Sequence, residues 1–171
     1  TASAVCALGA VPVFADVDAT TAAIDDDAVR RARTDRTRAV VVVHLYGRPA
    51  TLPSTYLPIV EDAAQAMGAL VRHDASAAVA YSFYPTKNLG GIGDGGAVVT
   101  DDPALADRVR RLRGHGMTQQ YVHEAVSQNF RMSELEAAWL RLGLPSLAAD
   151  VAARRRIAAR YREAAPQLHW Q

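Results

Sequence analysis

Residues 82–90 read SFYPTKNLG and place a lysine, Lys87, in a turn that follows an apolar run of the chain. Pro85 and Gly90, on either side of the lysine, favour a turn over a helix. Of the 19 lysine and arginine residues in the sequence, Lys87 alone is a lysine. Because arginine cannot be deprotonated in a protein, it cannot fill a position that needs a neutral amine. The pattern therefore indicates a nucleophile at Lys87, with a solvated surface lysine as the competing interpretation.

A carboxylate stands at the end of a second apolar run, in the stretch VEDAAQAM at 60–67. Asp62 is expected at the carboxyl end of a strand. A lysine, a carboxylate and a hydroxyl are the side chains with which an enzyme holds pyridoxal 5′-phosphate (PLP). Lys87 would bind its aldehyde carbon, Asp62 its ring nitrogen, and Ser82 its phosphate. From the residues alone, a cap on the following helix is an equally good interpretation of Asp62.

Four blocks of the sequence resemble, in the same order, those of the PLP-dependent sugar-nucleotide aminotransferases of DegT/StrS type. The blocks are GAVPVFADVDATT at 9–21, VEDAAQAMGA at 60–69, YSFYPTKNLGGIGDGGAVVTDD at 81–102 and NFRMSELEAAWL at 129–140. The resemblance runs from Thr1 to about Tyr161. It implies an α/β fold, the large domain of a fold-type I PLP enzyme, with a mostly parallel sheet flanked by helices.

The resemblance also implies a role for each of five side chains. Lys87 would be the catalytic residue and would hold the cofactor covalently. Asp62 would bind the ring nitrogen, Gln65 the phenolic oxygen and Ser82 the phosphate. Asn129 matches an asparagine that reaches the phosphate bound by the neighbouring subunit, so the resemblance implies a homodimer with shared active sites. Capping of the helix that follows is the competing interpretation of Asn129.

By the same resemblance, the expected reaction is transfer of an amino group from an amino acid, glutamate being the expected donor, to a nucleotide-linked keto-sugar. Family members that dehydrate sugars carry a histidine where this chain has Lys87, so the lysine favours aminotransfer. Two alternatives stay open. The substrate could be a cyclitol or an aromatic precursor, or the chain could be a truncated, non-catalytic homologue that serves as a partner subunit.

Composition narrows the class of partner. The formal net charge of +1 gives no reason to expect nucleic acid as a ligand, and no apolar run reaches the roughly 20 residues of a membrane span. A single cysteine, Cys6, excludes an internal disulfide framework and fits a reducing, cytoplasmic compartment. No signal peptide is visible, and the histidines lack the spacing of metal ligands.

Hydrophobic periodicity and capping residues predict strands alternating with helices, which indicates an α/β domain. The strands are expected at 11–17, 38–45, 59–61, 77–83 and 95–100. Helices are expected from Asp25, from Asp102 to about Arg113, from Ser133 to a break at Pro145, and from Ser146 to about Ala165.

The resemblance predicts that residues 1–145 are a partial PLP-binding domain and that 146–171 lead into a small C-terminal domain. We expect the chain to be incomplete at both ends. The stretch 48–58 is also shorter than the crossover helix that parallel strands usually need. Three explanations of the missing segments are open. Residues are omitted from this sequence, the chain is the product of a gene fragment, or it is a naturally reduced homologue.

Two further features have structural interpretations. His44 ends the run of valines at 40–43, where a role in packing is favoured over a place in the site. Residues 91–96, GIGDGG, match the pattern G-x-G-x-x-G. A dinucleotide-binding loop follows a strand and opens a helix, whereas this segment leads into a predicted strand. We therefore interpret it as a turn beside the lysine.

Overall fold

A four-stranded sheet forms the centre of the protein, whose computed structural model describes residues 1–69 and 75–168. Its strands are β1 (Val40–Val43), β2 (Ile59–Asp62), β3 (Ala78–Ser82) and β4 (Gly96–Val99), in that spatial order. The first three strands are parallel, and β4 runs antiparallel to β3. The predicted α/β fold with a mostly parallel sheet is confirmed.

Five α-helices and a small hairpin are described around the sheet. The helices are α1 (Ala2–Ala7), α2 (Asp26–Ala32), α3 (Pro103–Leu112), α4 (Glu134–Gly143) and α5 (Leu147–Ala164). The hairpin pairs β5 (Met117–Gln119) with β6 (Val122–His123). None of the described helices is long and apolar enough to cross a membrane.

The capping residues predicted from sequence start three of the helices. The side chain of Asp25 accepts a hydrogen bond from the backbone N–H of Ala28 at the start of α2. Asp102 and Ser133 do the same for α3 and α4. Each bond satisfies a backbone N–H that has no partner within its helix. Pro145 lies in a 3₁₀ turn between α4 and α5, as the predicted break requires.

The core lies mainly on one side of the sheet. Val40, Val42 and Ile59 alternate with partly exposed neighbours and pack against Val29 of α2 and the buried Ala50. A second cluster, formed by Phe83, Leu89 and Leu140, joins the end of β3 to α4. Residues at alternate positions of β1 and β2 therefore face a packed layer, while their neighbours stay half-buried.

The predicted strand at 11–17 is wrong. Within this segment only Val17 forms a β-bridge, to Ile24 across a tight turn. Val11 and Phe14 are 82% and 81% exposed, and neither pairs with another strand within the described residues. An apolar run becomes a strand only when a partner satisfies its backbone groups, and this run has none in the described part of the chain.

Three other segments extend or refine the sequence prediction. Helix α1 and the β5–β6 hairpin were not predicted. The connection between β1 and β2 contains only a 3₁₀ turn at Leu45–Gly47 and no α-helix, in agreement with its prolines. Residues 169–171, the end of the segment predicted to lead into a second domain, lie outside the described residues.

Two glycines with positive φ provide a matched test of the fold. Gly116 has a φ of +68°, and a Cβ there would lie 1.9 Å from the carbonyl oxygen of Ala125. Gly9 has a φ of +70° with no atom within 4 Å of the same position. We expect Gly9→Ala to lower the free energy of unfolding by about 1–2 kcal/mol, the cost of a left-handed alanine. Gly116→Ala should cost at least about 3 kcal/mol, because a backbone clash adds to that strain.

Urea denaturation of the two variants and the parent measures the difference. Equal losses at the two positions would show that the chain around Ala125 moves freely out of the way.

Candidate active site

Two of the predicted site residues share one face and one edge of the sheet. Asp62, the last residue of β2, pairs with Ala80 of β3, and Ser82 ends β3 two residues later. Paired residues in neighbouring parallel strands point to the same side, and so do residues two apart in one strand. The Asp62 and Ser82 side chains therefore project from the same face at the carboxyl edge. Ligands of open α/β sheets bind beyond this edge.

The carboxylate of Asp62 is held by contacts to both of its oxygens. Oδ2 accepts a hydrogen bond from the hydroxyl of Thr1 at 2.5 Å, and Oδ1 accepts one from the backbone N–H of Ala64 at 3.1 Å. The interpretation of Asp62 as a helix cap is wrong for the described residues, because 63–69 form turns and no helix, and the bond to Ala64 closes the first of these turns. Thr1 was not predicted, because a contact across 61 positions leaves no local signal in the sequence.

Gln65 is fixed by its carbonyl oxygen. Its Oε1 accepts the backbone N–H of Tyr46 at 2.6 Å, which leaves the NH₂ group as the donor of this side chain. Tyr46 has a φ of 55°, an uncommon conformation for a tyrosine, so the loop after β1 is bent to present this N–H.

The turn that carries Lys87 is built from backbone bonds and is attached to the segment that follows Gln65. The N–H of Lys87 bonds the carbonyl of Tyr84 at 2.9 Å. Asn88 donates from its side chain to the carbonyl of Met67 at 3.1 Å. Lys87 is half-buried, and within the described residues its ammonium group forms neither a hydrogen bond nor an ion pair. Lys87 therefore lies in a turn anchored on both sides.

Ser82 closes the same turn from the strand side. Its Oγ accepts the N–H of Tyr84 at 3.3 Å, so the hydroxyl proton remains available for another acceptor. Asp62, Gln65, Ser82 and Lys87 accordingly stand on two segments, 62–67 and 82–88, that leave adjacent strands at one edge and are tied together by Asn88. Asn88 is a second residue that sequence reasoning missed.

Asn129 lies apart from these four residues. It is exposed, forms a β-bridge with Gly114, and accepts two hydrogen bonds from Arg131 at 3.1 Å each. No hydrogen bond in the described part of the chain joins it to the other four. Its role at the phosphate of a neighbouring subunit stays a prediction.

His44 and Glu61 form a fully buried pair on the opposite face of the sheet. His44 Nε2 lies 2.7 Å from Glu61 Oε2, and His44 Nδ1 accepts the N–H of Ala50 at 3.0 Å. Since Nδ1 accepts a hydrogen bond, the ring proton is on Nε2, and Nε2–H donates a hydrogen bond to Glu61. Burial, together with the negative charge of Glu61, raises the pKa of Tyr81 on this face. The structural interpretation of His44 is confirmed.

Comparison with known proteins identifies the family of this chain. A protein-family model described as the DegT/DnrJ/EryC1/StrS aminotransferase family matches residues 1–170. The chain belongs to this family. The resemblance of the four sequence blocks is thereby confirmed, and the match extends over nearly the whole chain.

Three similar proteins illustrate the family. The chain is 50% identical over 155 residues to the erythromycin biosynthesis sensory transduction protein EryC1 of Saccharopolyspora erythraea, covering 84% of the chain and 42% of EryC1. It is 46% identical over 169 residues to dTDP-3-amino-3,4,6-trideoxy-alpha-D-glucose transaminase of Streptomyces venezuelae, covering 92% of the chain and 45% of that enzyme. The crystal structure of DesV from S. venezuelae superposes with a TM-score of 0.88 at 42% identity, over 96% of the chain and 47% of DesV.

The DesV comparison confirms the fold-type I aminotransferase fold. It also shows the extent of the match: the chain spans less than half the length of each of these three proteins.

Members of this family are PLP enzymes, and the residues at the sheet edge fit that cofactor by their chemistry. Asp62 offers a carboxylate for a protonated ring nitrogen, and the NH₂ of Gln65, which has no partner among residues 1–69 and 75–168, suits a phenolic oxygen. The hydroxyl proton of Ser82 suits a phosphate oxygen, and Lys87 supplies the amine. The donor and acceptor types at this edge therefore match the groups that PLP presents.

Proposed function

We propose that the protein is a PLP-dependent aminotransferase that moves an amino group from an amino acid to a nucleotide-linked keto-sugar. The observation that carries this proposal is the placement of Asp62 and Ser82 on one face of the sheet edge, beside the turn of Lys87. Family membership supports the reaction class. The S. venezuelae transaminase, named for a dTDP-linked amino sugar, supports the substrate class.

Each residue has a separate task in this proposal. PLP, when bound, supplies an electron sink for the bond that breaks at Cα of the amino acid. Lys87 would hold the cofactor by its amine, would be released when the amine of the donor takes its place, and would then accept the proton that leaves that Cα. Asp62, fixed by Thr1 and Ala64, would place its carboxylate against the ring nitrogen. Gln65 and Ser82 bind and orient the cofactor through hydrogen bonds.

The donor and the exact acceptor belong to the proposal as well. Glutamate is the amino donor we propose, and a cyclitol or an aromatic ketone is the alternative acceptor. A non-catalytic partner role is the second candidate function. It is favoured by the name of EryC1, a sensory transduction protein.

We further propose that residues 1–145 are part of the cofactor-binding domain and that 146–171 lead toward a second, smaller domain. Helix α5 supports this division, because only Val151 among its residues is buried in the described structure. Most of the other α5 residues are exposed, which leaves a surface that a second domain could cover.

Lys87→Arg provides the direct test of the catalytic proposal. The parent should take up PLP, and borohydride should fix it to the peptide that contains Lys87. The variant keeps the positive charge but lacks a neutral amine, so it should bind no PLP covalently and lose roughly a thousandfold or more in activity. Activity is measured with glutamate and a panel of nucleotide-linked keto-sugars, cyclitol ketones and aromatic ketones. A parent that takes up PLP but aminates none of them would favour the partner role.

Asp62→Asn separates a charge effect from a packing effect. Asparagine can accept the N–H of Ala64 through its carbonyl oxygen, and its NH₂ can donate to the hydroxyl of Thr1 once that hydroxyl turns. It carries no charge for the ring nitrogen. We expect the rate of the half-reaction with glutamate to fall roughly a hundredfold to a thousandfold, while PLP content stays near that of the parent. Single-turnover kinetics and cofactor quantification check this. An undiminished rate would restrict Asp62 to a structural role in the turn after β2.

Mixing two inactive variants tests the proposed homodimer with shared sites. One subunit carries Lys87→Arg and the other Asn129→Ala. If Asn129 serves the neighbouring site, each mixed dimer holds one complete site, and random assortment restores about a quarter of the parent's activity. Mixtures with no more activity than the separate variants, despite subunit exchange shown by mass spectrometry, would contradict the shared site.

A further inference from the structure

The glycine-rich segment after Lys87 encloses a buried carboxylate. Glu136, on the first turn of α4, is 3% exposed. Its Oε2 accepts the backbone N–H of Ile92 at 3.1 Å, between two glycines of the segment. Its Oε1 is buried and has no hydrogen-bond partner within the described residues. Burying a carboxylate costs desolvation free energy, and a single backbone hydrogen bond offsets only part of that cost. The contact between Glu136 and Ile92 is therefore one that the fold keeps in spite of the cost.

The contact with Glu136 explains the first glycine of the segment, Gly91. A Cβ at Gly91 would lie 1.4 Å from Glu136 Oε1, so no larger residue fits there while Glu136 keeps its position. The corresponding distances from Gly93 and Gly95 to the nearest Glu136 oxygen are 3.8 and 3.7 Å. These are ordinary van der Waals distances, so Glu136 requires a glycine only at position 91. The last glycine of the pattern that resembles a dinucleotide fingerprint, Gly96, faces the carbonyl oxygen of Tyr81, which would lie 2.7 Å from a Cβ there.

Helix α4 holds the same segment at two more points. Trp139 donates from Nε1 to the carbonyl oxygen of Gly90 at 3.1 Å. Leu140 packs with Leu89 and with Phe83 in a buried cluster. The residues held this way, 89–92, begin two positions after Lys87. Helix α4, which begins at Glu134, therefore fixes the position of the backbone that follows Lys87.

We propose that Glu136 is a positioning residue for Lys87. Its carboxylate fixes the glycine segment against α4, and the segment in turn fixes the direction from which the lysine amine reaches the cofactor. Trp139 acts with it from the other side of Gly91. Glu136 touches neither cofactor nor substrate in this proposal, which rests on the proposed function for the role of Lys87 itself.

Four variants test the proposal. Glu136→Leu has about the same size but no acceptor, and Glu136→Gln restores an acceptor for Ile92. Glu134→Gln makes the matched chemical change at an exposed position of the same helix. Trp139→Phe removes the bond to Gly90 and keeps an aromatic ring. Amide hydrogen exchange is measured without PLP, and the rate at which Lys87 captures PLP is followed by borohydride trapping at intervals.

We expect the Ile92 amide to exchange roughly tenfold to a hundredfold faster in Glu136→Leu, with β1 unchanged. Capture of PLP at Lys87 should slow about tenfold or more, because the amine loses its fixed approach. Glu136→Gln should recover most of both effects, and Glu134→Gln should match the parent. Unchanged exchange at Ile92 in Glu136→Leu, or equal defects in the Leu and Gln variants, would overturn the proposal.

If Glu136→Leu does not fold, Trp139→Phe tests whether helix α4 positions the segment that follows Lys87. It should speed exchange at Gly91 and slow PLP capture while β1 stays protected, and parent-like behaviour at both would overturn the proposal. A parent protein that takes up no PLP would instead defeat the proposed function. The exchange measurements do not use the cofactor, so the two failures are distinguishable.

Discussion

The register between β2 and β3 is the constraint on which the candidate site depends. With Asp62 opposite Ala80, the Asp62 and Ser82 side chains reach the same face at the same edge. A slip of one residue would turn every side chain of β2 over. Asp62 would then enter the packed layer, and Glu61 would face the open side. The chemistry proposed for this edge exists in one register only.

The buried pair on the other face helps to select that register. Glu61 and His44 are both fully buried, and they meet at 2.7 Å across β1 and β2. Such a pair adds little net stability, because its desolvation cost offsets most of its attraction. An alternative pairing that left either group buried without its partner would cost several kcal/mol. The pair therefore acts mainly by excluding wrong alignments, which keeps Asp62 on the open face.

The sheet and the helix starts were predictable because their signals are local. The valines at 40–43 and the apolar runs that end at Asp62 and Ser82 have the pattern of buried strands, and they form β1, β2 and β3. Asp25, Asp102 and Ser133 cap helices through bonds to backbone groups two or three residues away. The strand predicted at 11–17 failed for the opposite reason, since a strand needs a partner that no local pattern reveals.

The residue types of the candidate site were predictable from the sequence, whereas the contacts that hold these residues in place were not. Residue type and setting indicated Lys87, Asp62 and Ser82, the family resemblance added Gln65, and the structure places these four at one edge of the sheet. Their supporting contacts join residues far apart in the chain: Thr1 lies 61 positions from Asp62, and Glu136 lies 44 positions from Ile92. Single-sequence patterns record periodicity and turns, whereas these contacts are created only when the chain folds.

The glycine segment shows why a motif needs its structural context. Alternating glycines state only that bare backbone approaches something closely. In a dinucleotide-binding fold that neighbour is a phosphate, held at the start of a helix. Here the segment leads into β4, and the neighbour is a carboxylate supplied by the chain itself, Glu136. The backbone N–H of Ile92 binds this internal carboxylate, and the bond attaches the segment after Lys87 to helix α4.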